Sequence, residues 1–205
     1  MLARAPSLVT EAEYLELEAG SLEKHEFVNG EIIAMAGASL EHRSIQINLT
    51  TALKTRLRRG PCQPHGPELR VHTSETGLYA YPDVVVFCGE PELADTNPPS
   101  LLNPRVVIEV LSESTEGHDR GVKVAHYRHR ATVDAIVLVD SRRRMIEIQT
   151  RNANGTWTLD ERTAGDLTIA VLDVIIPFDE VYEGVTFPPR APVAKRRRRT
   201  AQARG

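Results

Sequence analysis

Apolar residues recur along this chain with two periods. Ile45, Leu49, Leu53 and Leu57 stand four apart, with Ala52 beside them, and predict one amphipathic helix. Ser39 supplies its cap, Arg56, Arg58 and Arg59 load its end, and Gly60-Pro61 stop it. A shorter helix begins at Thr10, where Glu13 three residues on completes a capping box, and runs to Gly20. Around Asn29-Gly30, the runs 25–28 and 31–35 predict a hairpin, because both turn positions need positive φ. Residues 67–73, 79–87, Val106–Leu111 and Ala135–Val139 read as strands, with 94–104 a loop and 119–130 a helix. A second hairpin folds about Asn154-Gly155, and 178–183 form a last short helix. Hairpin and crossover connections are mixed, so the pattern predicts an α/β (α+β) core, a mixed sheet flanked by helices.

Composition narrows the class. At 41% hydrophobic and 26% charged the chain of 205 residues is globular. No run reaches the ~18 apolar residues of a spanning helix, so no membrane partner is expected. Cys62 and Cys88 are too few for a disulfide scaffold or a four-cysteine zinc site, and suggest a reducing, cytoplasmic setting. The net charge of −3 conceals an asymmetry. Residues 186–205 carry seven cations and no acid, which leaves 18 basic and 28 acidic side chains elsewhere, a net of −10. An acidic body argues against gripping nucleic acid by bulk charge alone. The tail, Arg196 to Arg199 included, has no apolar period and reads as disordered, which divides the chain into a domain at 1–187 and a basic tail at 188–205.

Two carboxylates break otherwise apolar strands. Glu109 shares a face with Val107 and Leu111, and Asp83 shares one with Val85 and Phe87. A buried carboxylate is costly unless a cation or hydrogen bonds receive it. Glu109 is therefore either a functional acid or the partner of an arginine, and Pro82-Asp83 is also ordinary turn chemistry. Because paired strands lie ~4.8 Å apart, the two acids can converge on one hard divalent cation.

Pro82-Asp83 followed by Glu109, in helix-strand-strand-strand-helix-strand order, resembles the PD-(D/E)XK nuclease superfamily with its restriction-endonuclease-like fold. The closer match is to its Uma-two group of endonucleases, through Glu26 to Glu31, Glu41-His42, Pro82 to Val84, Val107 to Ser112, Ser114-Thr115, Asp119-Arg120, Lys123, Tyr127 and Val139-Asp140. It covers residues 8–184. The resemblance implies Mg²⁺- or Mn²⁺-dependent hydrolysis of phosphodiesters in DNA, or in RNA. Asp83 and Glu109 would then be the metal acids, the Val110 carbonyl would complete the metal's surroundings, and Glu26 would approach it. The superfamily's lysine, two residues after the second acid, is Leu111 here, and Lys123 on the next helix fills its place in this group. The alternative for Lys123 is an exposed i,i+4 ion pair with Asp119. His42 would contact a phosphate or the metal's surroundings, the alternative being a cap or surface side chain, with Gln46 a further candidate, and the tail arginines would either tether nucleic acid or serve as a solubilising segment. A homodimer is implied only by the habits of this fold. The rival reading is a nuclease fold kept as a binding module without catalysis.

Overall fold

The structure is a computed structural model that describes residues 8–35 and 37–187. Helix α1 (Glu11–Gly20) opens on the expected capping box: the Glu13 amide donates to Thr10 Oγ1 at 3.3 Å, and the Thr10 amide to Glu13 Oε2 at 2.7 Å. Strands β1 (His25–Val28) and β2 (Glu31–Ala34) turn through Asn29 and Gly30, at φ 52° and 84°. Helix α2 (Leu40–Leu57) starts at Ser39, whose hydroxyl accepts from the His42 amide at 3.2 Å, and it buries Ile45, Leu49, Leu53 and Leu57.

A run of strands follows before the chain turns helical again: β3 (Cys62–His65), β4 (Arg70–Thr73), β5 (Leu78–Ala80), β6 (Val84–Cys88), β7 (Leu93–Ala94), β8 (Ser100–Leu101) and β9 (Val106–Leu111). A short α3 (Glu116–His118) leads into a π-helical turn, Asp119–Lys123, and then α4 (Val124–His129). β10 (Ala135–Asp140), β11 (Ile146–Arg151), β12 (Trp157–Arg162), β13 (Asp166–Ile169), β14 (Val174–Pro177) and α5 (Phe178–Val181) finish the described chain.

Two six-stranded sheets result, in orders β2-β1-β5-β4-β8-β7 and β12-β11-β10-β9-β6-β3, with β13 and β14 a separate pair. In the second sheet only β9 and β10 are parallel, joined by the α3–α4 crossover. One face of this sheet packs α2, the β13–β14 hairpin and α5. Its other face, with Val85, Val107 and Leu111, packs the first sheet and α4. The expected order survives as α2, β3, β6, β9, α3–α4, β10, a mixed restriction-endonuclease-like core.

Several boundaries differ from the sequence reading. The segment 79–87 is two strands in two sheets, broken at Pro82-Asp83, because proline cannot donate to a ladder. The first core strand is β3 rather than 67–73. Its Pro64 is tolerated because β3 is an edge strand. The loop 94–104 contains β8, which pairs with β4, and the helix at 119–130 carries a π turn. The β13–β14 hairpin is an addition to the sequence pattern, and it turns through Asp173 at φ 53°. Cys62 and Cys88 face each other across β3 and β6 and form a disulfide. No helix among the described residues is long and apolar enough to cross a membrane. The tail residues Arg196, Arg197, Arg198 and Arg199 lie outside the described residues.

Candidate active site

The break at Pro82-Asp83 is what builds the site. It carries the chain from the first sheet into the second, so Asp83 stands at their junction. The last paired register of β6 with β9 is Val84 with Ile108, and one step further brings Asp83 level with Glu109. Asp83 Oδ2 accepts from the Val110 amide at 2.7 Å and lies 3.2 Å from His42 Nε2. Gln46, one turn beyond His42, donates its side-chain amide to the Asp83 carbonyl at 3.0 Å. The start of α2 thus fixes both ends of Asp83.

Glu109 is 2% exposed, and its Oε1 accepts from Lys123 Nζ and Tyr127 Oη, both at 2.8 Å. Lys123 Nζ also lies 2.9 Å from Glu26 Oε1 and 3.3 Å from Asp119 Oδ1. The i,i+4 pair with Asp119 therefore exists, but both partners are buried rather than on an exposed face. Glu26, expected near a metal, is buried, accepts from the Tyr81 amide at 3.2 Å and lies 3.3 Å from His118 Nε2. His118 Nε2 is not aligned for a hydrogen bond there, and His42 Nδ1 is buried without a partner.

Charge in the cluster is unbalanced. Glu26, Glu109 and Asp119 surround the Lys123 ammonium, and Asp83 adds a further negative charge close to Glu109. Burial raises Glu109 well above the usual carboxylate range, the Lys123 ammonium opposes that rise, and Asp119, Asp83 and Glu26 add to it. Burial also acts to raise Glu26, but Lys123, the His118 ring and the Tyr81 amide outweigh it and hold Glu26 at about 2. For Lys123, burial works against the charge, yet Glu109, Tyr127, Glu26 and Asp119 hold it well above the ordinary lysine value. Lys123 is thus a fixed cation and Glu26 a fixed anion.

These groups line one cleft of 610 Å³ between the two sheets, with Asp83, Glu109, Lys123, Glu26 and His42 all on its wall. Among the described residues no three His, Cys, Asp or Glu side chains form a ready-made metal cage. Leu111, at the superfamily's lysine position, is fully buried in the core facing the first sheet. Tyr127 and His118 had no role assigned from the sequence, and Asp119 was expected only as an ion-pair partner of Lys123. Asp119 and Tyr127 were legible in principle, because with Lys123 they form an i, i+4, i+8 row. His118 carries no such signal.

The chain matches the Uma2 family model, described as "Putative restriction endonuclease", over residues 11–176. It is similar to the uncharacterized protein slr1290 of Synechocystis sp., at 33% identity over 91% of this chain and 100% of the relative. It is also similar to the uncharacterized protein sll1609 of the same organism, at 32% identity over 78% of this chain and 91% of that protein. Among solved structures it resembles a crystal structure from Anabaena variabilis described as a putative nuclease belonging to DUF820. The TM-score is 0.69 and the identity 14%, covering 85% of this chain and 97% of the other. That likeness confirms the fold, and the family model spans the strands, helices and acids described above, so the chain belongs to the Uma2 restriction-endonuclease family.

Proposed function

We propose that the chain is an endonuclease that hydrolyses DNA phosphodiesters with the help of Mg²⁺ or Mn²⁺. The observation that carries this is the level pair Asp83 and Glu109 opening into a cleft where carboxylates outnumber cations. The donor set fits a hard cation: carboxylate oxygens on adjacent strands and an excess of negative charge in the cleft. Asp83, Glu109 and the Val110 carbonyl would hold it. Bound there, such an ion supplies a Lewis acid for the phosphoryl group and acidifies a water.

The remaining work falls to the chain. Lys123 stays protonated, so it is no general base. Its ammonium offsets negative charge that develops on the phosphate as the bond breaks. Glu26 and Asp119 anchor that ammonium beside Glu109. Tyr127, fully buried, orients Glu109 through its hydroxyl. His42 holds Asp83 through Nε2 from the start of α2, on the wall of the cleft a phosphate would enter. The run Arg196 to Arg199 would add a sequence-independent tether, and two copies would cut both strands of a duplex.

The test is cleavage by the purified full chain of supercoiled plasmid, single-stranded DNA and RNA, each with Mg²⁺ or Mn²⁺, alongside calorimetric metal binding. Asp83→Ala and Glu109→Ala should abolish both cutting and metal binding, while Lys123→Ala loses cutting and keeps the metal. Wild type that cuts nothing and binds no metal refutes the reading. Nucleic acid bound but never cut favours the binding-module rival, and preference for RNA over DNA overturns the substrate.

A further inference from the structure

A second cleft, of 780 Å³, lies between the C-terminal half of α2 and the edge strand β3. In a body with net charge −10, no Asp or Glu among the described residues lines it. Lys54 and Arg58, both exposed, and His65 stand on its rim with the hydroxyls of Thr50, Thr51 and Thr55. The neighbouring Arg56, in contrast, is turned away to Glu180 at 2.6 Å. His65 lies at the β3 edge of the cleft, its ring stacked on Phe87 with ring centres 5.2 Å apart on the sheet face away from α2.

The two clefts are connected by one row of side chains. His42 and Gln46 line the first, and Thr50, Lys54 and Arg58 line the second. These five residues are spaced four apart, alongside the buried row Ile45, Leu49, Leu53 and Leu57. The two rows share one inclination, so the polar row borders the sheet along the whole helix. From His42, Lys54 lies ~18 Å and Arg58 ~24 Å along the axis.

We propose that this second cleft binds the phosphodiester backbone of the nucleic-acid strand that runs on from the scissile phosphate. Lys54 and Arg58 neutralise phosphates there, and the Thr51 and Thr55 hydroxyls hydrogen-bond to the backbone. At a rise of ~3.4 Å per step, these phosphates fall about five to seven steps from the cut. The inference rests on the nuclease reading above and adds the path that the substrate takes over the surface.

The test compares the full chain with Lys54→Gln/Arg58→Gln, binding fluorescein-labelled DNA with Ca²⁺ in place of Mg²⁺ so that the duplex stays whole. For a 30-base-pair duplex, the variant should bind roughly tenfold more weakly at moderate salt. Its slope of log affinity against log salt should be shallower by about 1.8, or 0.9 for each phosphate no longer neutralised. An 8-base-pair duplex reaches only ~14 Å to either side of its centre, so it should bind wild type and variant alike. Lys54→Arg/Arg58→Lys should keep the wild-type slope. If wild type binds the long duplex and the glutamine variant matches its affinity and slope, the track is overturned and the nuclease reading stands. Equal weakening on long and short duplexes overturns it too, as does a shallower slope in the charge-preserving variant. Wild type that neither binds nor cuts DNA overturns both readings together.

Discussion

Replacing Lys123 with methionine keeps the length of the stem and removes the charge. Three carboxylate oxygens, 2.8, 2.9 and 3.3 Å from the ammonium, would then share a buried space without a counter-ion. Removing one partner of a buried ion pair costs about 3–5 kcal/mol, a large part of the ~5–15 kcal/mol that holds a domain together. With a urea m-value of about 2 kcal/mol/M, the midpoint at pH 8 should fall by roughly 1.5–2.5 M. The destabilisation should also depend on pH. In wild type, Glu26 sits at about 2, so its contribution is present above the unfolded carboxylate range and is lost only as the pH falls through about 2. Without the ammonium, Glu26 loses its largest counter-charge and Glu109 loses the one influence that opposes its rise, so both carboxyls move up and Glu109 stands still further above its unfolded value. The folded variant then binds more protons than the unfolded chain, so its stability falls as pH rises. Urea unfolding at pH 5.5 and pH 8 measures this, with the gap from wild type narrower at pH 5.5. A midpoint shift below ~0.5 M at both pH values, or a larger gap in acid, would refute the buried-cluster reasoning.

Three further outcomes follow from single interactions. Tyr127→Phe removes a buried donor to Glu109 and should cost about 1–3 kcal/mol in urea unfolding, with cutting reduced more than substrate binding. Equal effects on both would deny the hydroxyl its orienting role. Gly30→Ala should destabilise by about 1–3 kcal/mol, because φ is +84° and the new Cβ would stand 2.8 Å from the Leu8 Cβ. A neutral result in thermal unfolding would show that the Leu8 segment yields freely. Cys62→Ser/Cys88→Ser opens a link between positions 26 apart in sequence. It should lower stability by about 3 kcal/mol, and added reductant should lower wild type to match. Indifference of wild type to reductant would show that the bond contributes nothing in solution.

The sequence was most legible where the information is local. The capping box at Thr10, the Asn29-Gly30 turn and the row from Ile45 to Leu57 each depend on neighbours within a few residues, and each appears where expected. β3 and β8 were hidden because they are short and proline-bearing or flanked by proline, and only a partner strand distant in sequence makes them strands. The disulfide was hidden for the same reason: opposition of Cys62 and Cys88 is a property of register.

The site divides along the same line. The residues themselves identified Asp83 and Glu109 as acids out of place in apolar strands, and a family likeness supplied Lys123, Glu26 and His42. What neither could give was the direction of each charge. Lys123 is a buried cation because the π turn and the crossover helix carry it inward among Glu26, Glu109 and Asp119, which come from separate elements. An ion's cost or benefit depends on burial and on neighbours at hydrogen-bonding distance, and only the folded chain sets either. Sequence by itself fixed which chemical groups were present and most local turns and helices. Tertiary structure alone decided which carboxylates share the ammonium, and which side of α2 carries its polar row from one cleft to the next.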